Sequence, residues 1–76
     1  MPRQFSGPAL RHARLAAGLS PERLAVDVDR SVWSIQSYEL GRAQPSVPAL
    51  AQLATALDVP IDALFTSEAE VTAGVA

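Results

Sequence analysis

Along residues 6–65 the apolar positions recur at three- and four-residue intervals, the period of an α-helix, and Gly, Pro and Ser separate the runs that carry it. Five helical segments are predicted. The first runs from about Gly7 to Ala17, with Leu10, Ala13 and Ala17 as its apolar stripe. Ser6 stands as its N-cap, Phe5 and Leu10 are placed as a hydrophobic staple, and Gly18 follows its last turn. Ser20 caps the second, with Pro21 at the first helical position, where a missing N–H costs nothing. Leu19 and Leu24 repeat the staple, and Leu24, Ala25 and Val28 turn inward. Asp29 and Arg30 form a turn before Ser31, which caps a third helix from about Val32 to Leu40, closed by Gly41. On that helix Ile35, Tyr38 and Glu39 share one face, and Trp33, Gln36, Ser37 and Leu40 share the opposite one. GRAQPS is a loop. Ser46 caps the fourth helix, Val47 to Leu57, whose stripe is Leu50, Leu53, Ala54 and Leu57. Val59 and Pro60 break it, and Ile61 to Phe65 makes one or two turns of a fifth. Each Ser cap contributes about 1 kcal/mol relative to Ala. No Val/Ile/Thr alternation suggests a strand, so the expected class is all-α with short connections.

The stretch SPERLAVDVDRSVWSIQSYELG holds two short helices joined by a tight turn, the second with a polar outer face. That is the description of a helix-turn-helix. LRHARLAAGLS, PERLA, SVWSIQSYELG, PSVPALAQLATALDV and PIDALF follow one another in order. With these segments the chain resembles the Cro/phage-repressor type of helix-turn-helix domain, also called the xenobiotic-response-element family, over about residues 8–65. The resemblance implies a five-helix lambda-repressor-like domain over residues 7–65, with the helix-turn-helix at helices 2 and 3. An N-terminal arm of residues 1–6 precedes it. A flexible tail of residues 66–76 follows, in which Val71 and Val75 could extend a helix in a dimer. It implies a sequence-specific double-stranded DNA-binding transcriptional regulator of bacterial or phage type, a repressor that reads the major groove with helix 3. The family's turn usually holds Gly and then a small apolar residue, where this chain has Asp29 and Arg30. Asp tolerates a left-handed backbone better than most residues, and Arg can lay its stem on the core while its head stays wet. Arg14 and Glu39 match residue types that form an ion pair in this family, fixing the reading helix on its scaffold.

By the same resemblance, the base-facing positions are Val32, Trp33, Gln36 and Ser37. Gln can bond adenine through two hydrogen bonds, Ser can serve several bases, and Val32 and Trp33 offer apolar contact to thymine methyls, which favours A·T-containing half-sites. Phosphate contacts are expected from Ser20 at the start of helix 2, from Arg42 and Gln44 in the loop after helix 3, from Arg3 on the arm and from Arg11. Leu64 and Phe65 are candidates for a dimer interface, Leu64 closing the core and Phe65 shared between core and partner.

Composition narrows the picture. Seventy-six residues without Cys make one small domain with no disulfide and no thiolate metal site. A chain of this size buries about 60% of its unfolded surface, so dense helix packing or self-association is expected to support it. No apolar run approaches the ~18 residues of a membrane helix, and MPRQFSGPAL lacks a signal-peptide core. A cytoplasmic, nucleoid-associated protein is expected. Net charge is −2, unevenly spread: residues 1–45 carry six Arg against four acids, +2, and residues 46–76 carry four acids and no base, −4. With so few cations a tight DNA complex needs two copies or a helper domain, and the family resemblance implies the former, a homodimer on a palindromic operator. With a lone His12 and no Cys, phosphate loop or paired carboxylates, no enzyme, metal site or cofactor is expected, and no small-molecule pocket. The alternative is a protein-interaction module of the same fold (an antitoxin, anti-repressor or adaptor) that binds its partner through Trp33.

Overall fold

The computed structural model describes residues 3–67. In chain order these form β1 (Arg3–Phe5), α1 (Gly7–Ala16), α2 (Pro21–Asp27), α3 (Val32–Glu39), α4 (Val47–Leu57), a single 3₁₀ turn (Ile61–Leu64) and β2 (Phe65–Ser67). The architecture is mostly helical, with four α-helices. The expected fifth helix is one tighter turn, and two short strands stand where none was expected. β1 and β2 pair antiparallel, with Arg3 opposite Ser67, Gln4 opposite Thr66 and Phe5 opposite Phe65. Residues 3–5 are therefore bound into a ladder and are not a free arm, and the folded unit extends to residue 67. Residues 68–76, including Val71 and Val75, lie outside the described residues.

One local grammar builds all four helices. Ser6, Ser20, Ser31 and Ser46 hold extended backbone, and each side-chain oxygen accepts from the backbone N–H three residues on, at 3.0–3.3 Å. Each helix then ends at a residue with positive φ: Gly18 (73°), Asp29 (54°), Gly41 (75°) and Asp58 (55°). The following N–H bonds back into the last turn: Leu19 to the Arg14 carbonyl, Arg30 to Ala25, Arg42 to Ser37 and Val59 to Ala54, at 2.9–3.1 Å. This is the closing geometry that satisfies otherwise orphaned helix carbonyls. Asp29 thus occupies the turn's left-handed position. Arg30 beside it is exposed, while Val28 and Val32 supply the turn's apolar contacts with the core.

Leu10, Leu24, Ile35, Leu53 and Leu64 are the largest fully buried side chains. They join α1, α2, α3, α4 and the 3₁₀ turn in one cluster, each contributing about 1.5–3 kcal/mol by leaving water. All four expected stripe positions of α4 are buried. On α1, Ala17 is exposed because the helix has already ended, and Arg14 takes the inward place one turn earlier. Phe5 sits edge-on to both Tyr38 and Phe65, with ring centroids 6.5 Å apart in each case, so β1 and β2 close over the end of α3. Beside them, the start of α1 approaches the end of α3 so closely that a Cβ on Gly7 would stand 2.4 Å from the Glu39 carbonyl oxygen and 2.6 Å from that of Tyr38. Glycine is required there by contact, not by its dihedral angles.

Candidate nucleic-acid interface

α3 is pinned along its inner side and at both ends. Ile35 and Tyr38 anchor it in the core. At its start the Ser31 hydroxyl accepts from the Ser34 N–H and donates to the Ser34 hydroxyl, both at 3.0 Å. At its end Glu39 meets Arg14 through two parallel bonds, Nε to Oε2 at 2.7 Å and Nη2 to Oε1 at 3.2 Å. The third Arg14 donor, Nη1, reaches the Leu19 carbonyl at 2.8 Å, directly before the cap of α2. One guanidinium therefore joins α1, the α1–α2 turn and the end of α3. Arg14 is only 6% exposed. Its pKa is raised above the ordinary arginine value, first by the hydrogen bond to Glu39, against the opposing effect of burial, with further help from the charges of Glu39 and Glu22. The expected pair is present, and it is buried and bidentate, the form in which arginine and carboxylate bind most strongly.

The opposite side of α3 faces outward. Trp33 is 73% exposed, Gln36 is exposed, and Leu40, just past the helix, is 66% exposed. Val32 is half-buried and packs against the core cluster. Ser37 departs from expectation: it is 4% exposed and does not belong to the presented face. The chain after Gly41 folds back on this turn of α3, with the Arg42 and Ala43 N–H groups both donating to the Ser37 carbonyl at 2.9 and 3.4 Å. A small side chain beneath that return is covered. Leu40 takes its place on the outer stripe; its i+7 spacing from Trp33 was visible in the sequence, but no contact was expected of it.

Of the residues expected at phosphates, Arg11 is the one brought beside this face. An open concavity is lined by Arg11, Arg14, Pro21, Gln36, Glu39 and Leu40, so it brings Arg11 and the start of α2 together with Gln36. Ser20, beside Pro21, is exposed with its oxygen engaged by the Arg23 N–H. Arg42 and Gln44 are exposed on the loop after α3. Arg23 is engaged along its own helix, with its Nε 3.2 Å from Asp27 Oδ1 in an exposed pair. Arg3 lies on β1, not on a free arm. Of the two residues expected at a dimer interface, Leu64 is wholly buried in its own core and has no surface to offer, while Phe65 is half-buried against Phe5. Among the described residues, no group of His, Cys, Asp and Glu is arranged to hold a metal ion, and no helix is long and apolar enough to cross a membrane.

Residues 7–65 match the helix-turn-helix domain family. The chain is 42% identical over 60 residues to an uncharacterized transcriptional regulator in the ATPase CF(0) region of Rhodospirillum rubrum, covering 79% of this chain and 56% of that protein. It thus spans little more than half of that relative's length. Among solved structures it is similar to the restriction-modification controller protein C.AhdI from Aeromonas hydrophila (37% identity, 78% of this chain and 89% of that one, TM-score 0.74). It is also similar to SinR, the master regulator for biofilm formation, solved in complex with DNA (25% identity, 76% of this chain and 97% of that one, TM-score 0.71). The chain belongs to the helix-turn-helix domain family. The solved structures it resembles are Cro- and C-repressor-like helix-turn-helix regulators.

Proposed function

We propose that this chain is a repressor that docks α3 in the major groove of a specific duplex, as a homodimer on a palindromic operator. The observation that carries the proposal is the outward stripe of α3, with Trp33 and Gln36 in water while Arg14 and Glu39 lock the helix from behind. A helix about 10–12 Å across fits the groove, and its N-terminal half meets the base edges. Val32, Trp33 and Gln36 are the base contacts in this proposal; Ser37 is withdrawn from the set. Arg42, Gln44, Ser20 and Arg11 hold phosphates, with Arg3 a further candidate from β1. The second copy docks around Phe65 and the exposed Ile61, which lines an open concavity with Ala51, Val59 and Pro60 and with Thr55 and Asp58. Two half-sites then lie about 34–36 Å apart. The proposal assigns the chain no catalysis and no cofactor, and a cytoplasmic place beside the nucleoid.

Selection of bound duplexes from a random library, repeated across salt concentrations, tests this. A palindromic A·T-containing consensus is expected. With two Arg per protomer at phosphates, log K should fall with log salt at a slope of about −4 for the dimer. Failure to enrich any sequence at low salt overturns the proposal. The second reading, a protein-binding module, draws on the same exposed Trp33 and on the net charge of −2. It requires a protein partner lost on Trp33→Ala and retained on Gln36→Ala and Arg42→Ala.

A further inference from the structure

With α3 taken as the groove-facing helix, as proposed above, the chemistry of its outer stripe says which feature of the groove it recognises. α3, VWSIQSYE, contains no Lys or Arg; the nearest cations, Arg30 and Arg42, stand in the turns before and after it. Guanine is read in the major groove chiefly by Arg or Lys at O6 and N7, and this helix has neither. The stripe offers instead two large exposed apolar side chains, Trp33 on the helix and Leu40 at its C-cap, seven residues apart, with Gln36 between them. Seven residues of helix span about 10 Å, the length of roughly three stacked base pairs. Arg11 lines the concavity beside Gln36 and Leu40, together with the mutually paired Arg14 and Glu39, and Arg42 is exposed on the loop that follows, so the stripe itself is uncharged and has the cation Arg11 beside it. That distribution complements a groove with anionic rims and a neutral floor. The apolar feature of that floor is the C5-methyl group of thymine. A 5-methylcytosine carries the same group at the same ring position.

We propose that the Trp33–Gln36–Leu40 stripe is a reader of C5-methyl groups, accepting thymine and 5-methylcytosine alike, with Gln36 fixing register on adenine, so that binding responds to cytosine methylation within the site.

The test uses the intact chain and its selected duplex. Each thymine in the half-site is replaced in turn by deoxyuridine, which removes only the methyl group. Each T·A pair is also replaced by C·G, with and without a 5-methyl on the cytosine. At the read positions deoxyuridine should weaken binding about four-fold per methyl, the ratio expected for losing burial of one methylene-sized group. 5-Methylcytosine should regain about the same factor over cytosine. Trp33→Ala and Leu40→Ala alter exposed side chains and should keep the wild-type melting curve. Each should reduce the deoxyuridine effect to less than two-fold at the position that side chain covers. An effect below two-fold at every position, or one of equal size in the wild type and both variants, overturns the proposal while leaving the DNA-binding reading intact. A consensus of essential guanines that depends on Arg30 does the same. A chain that enriches no sequence refutes both.

Discussion

Replacing Glu39 by Ala is the most demanding test of how α3 is held. It leaves the Arg14 guanidinium 6% exposed with one remaining acceptor, the Leu19 carbonyl. The stranded charge has no escape by titration. Its pKa is raised by its hydrogen bond to Glu39, and an arginine without that partner still stays protonated in water. A raised pKa on a base means that this contribution is present below the unfolded value and lost only as pH rises through the folded one, so neutral and acidic buffers do not relieve the arginine. Removing one member of a buried pair costs about 3–5 kcal/mol. A domain of this size has only about 4–11 kcal/mol in total. In urea, with a slope near 1 kcal/mol/M for so small a protein, the midpoint should fall by about 3 M or more. Circular dichroism at 222 nm reads it. The double variant Arg14→Met with Glu39→Met removes both charges and should be more stable than Glu39→Ala, because an apolar pair of similar volume is nearly neutral in such a place. A Glu39→Ala loss under 1 kcal/mol would mean that the pair behaves as an exposed one, and the reasoning about its burial would fail.

Three further outcomes are expected. Gly7→Ala pushes a methyl onto the carbonyls that end α3 and should cost about 1–3 kcal/mol in denaturant titration, although an alanine would be the better helix former in an open site. Asp29→Val places a β-branched residue at φ 54° and should cost about 1–3 kcal/mol, whereas Asp29→Asn should melt within about 0.5 kcal/mol of wild type. Arg42→Ala should weaken binding to selected and unrelated duplexes alike and lower the salt slope by about 1 per protomer, while Gln36→Ala should weaken the selected site by about 1–3 kcal/mol and leave the slope unchanged, as read by fluorescence anisotropy.

What was legible in the sequence was local. A Ser followed within two residues by Pro, or by an apolar run, marks a helix start from a handful of neighbouring atoms, and all four starts stand where Ser6, Ser20, Ser31 and Ser46 placed them. What escaped was contact across the chain. β1 and β2 are three residues each and exist because residue 3 meets residue 67, so neither strand has a pattern of its own. The need for glycine at position 7 arises from carbonyls 31 and 32 residues away. Ser37 was assigned outward by polarity and period, but α3 has eight residues and the returning loop covers part of its outer side, which no helical wheel contains. The Arg14–Glu39 pair was foreseen through family resemblance alone, since 25 residues separate its members and nothing local joins them. Leu64 was read as closing the core, and it is wholly buried on the last turn before β2, where α1 and α4 pack against that turn.

The central claim is that α3's outer stripe, held from behind, meets DNA. Titrating ¹⁵N-labelled protein with its selected duplex, and following both backbone amides and the Trp33 indole, tests it most directly. The largest shifts should fall on Val32, Trp33, Gln36 and Leu40, with smaller ones at Ser20, Arg11 and Arg42. Shifts centred instead on α4 and the Ile61–Leu64 turn, with the Trp33 indole unmoved, would contradict it.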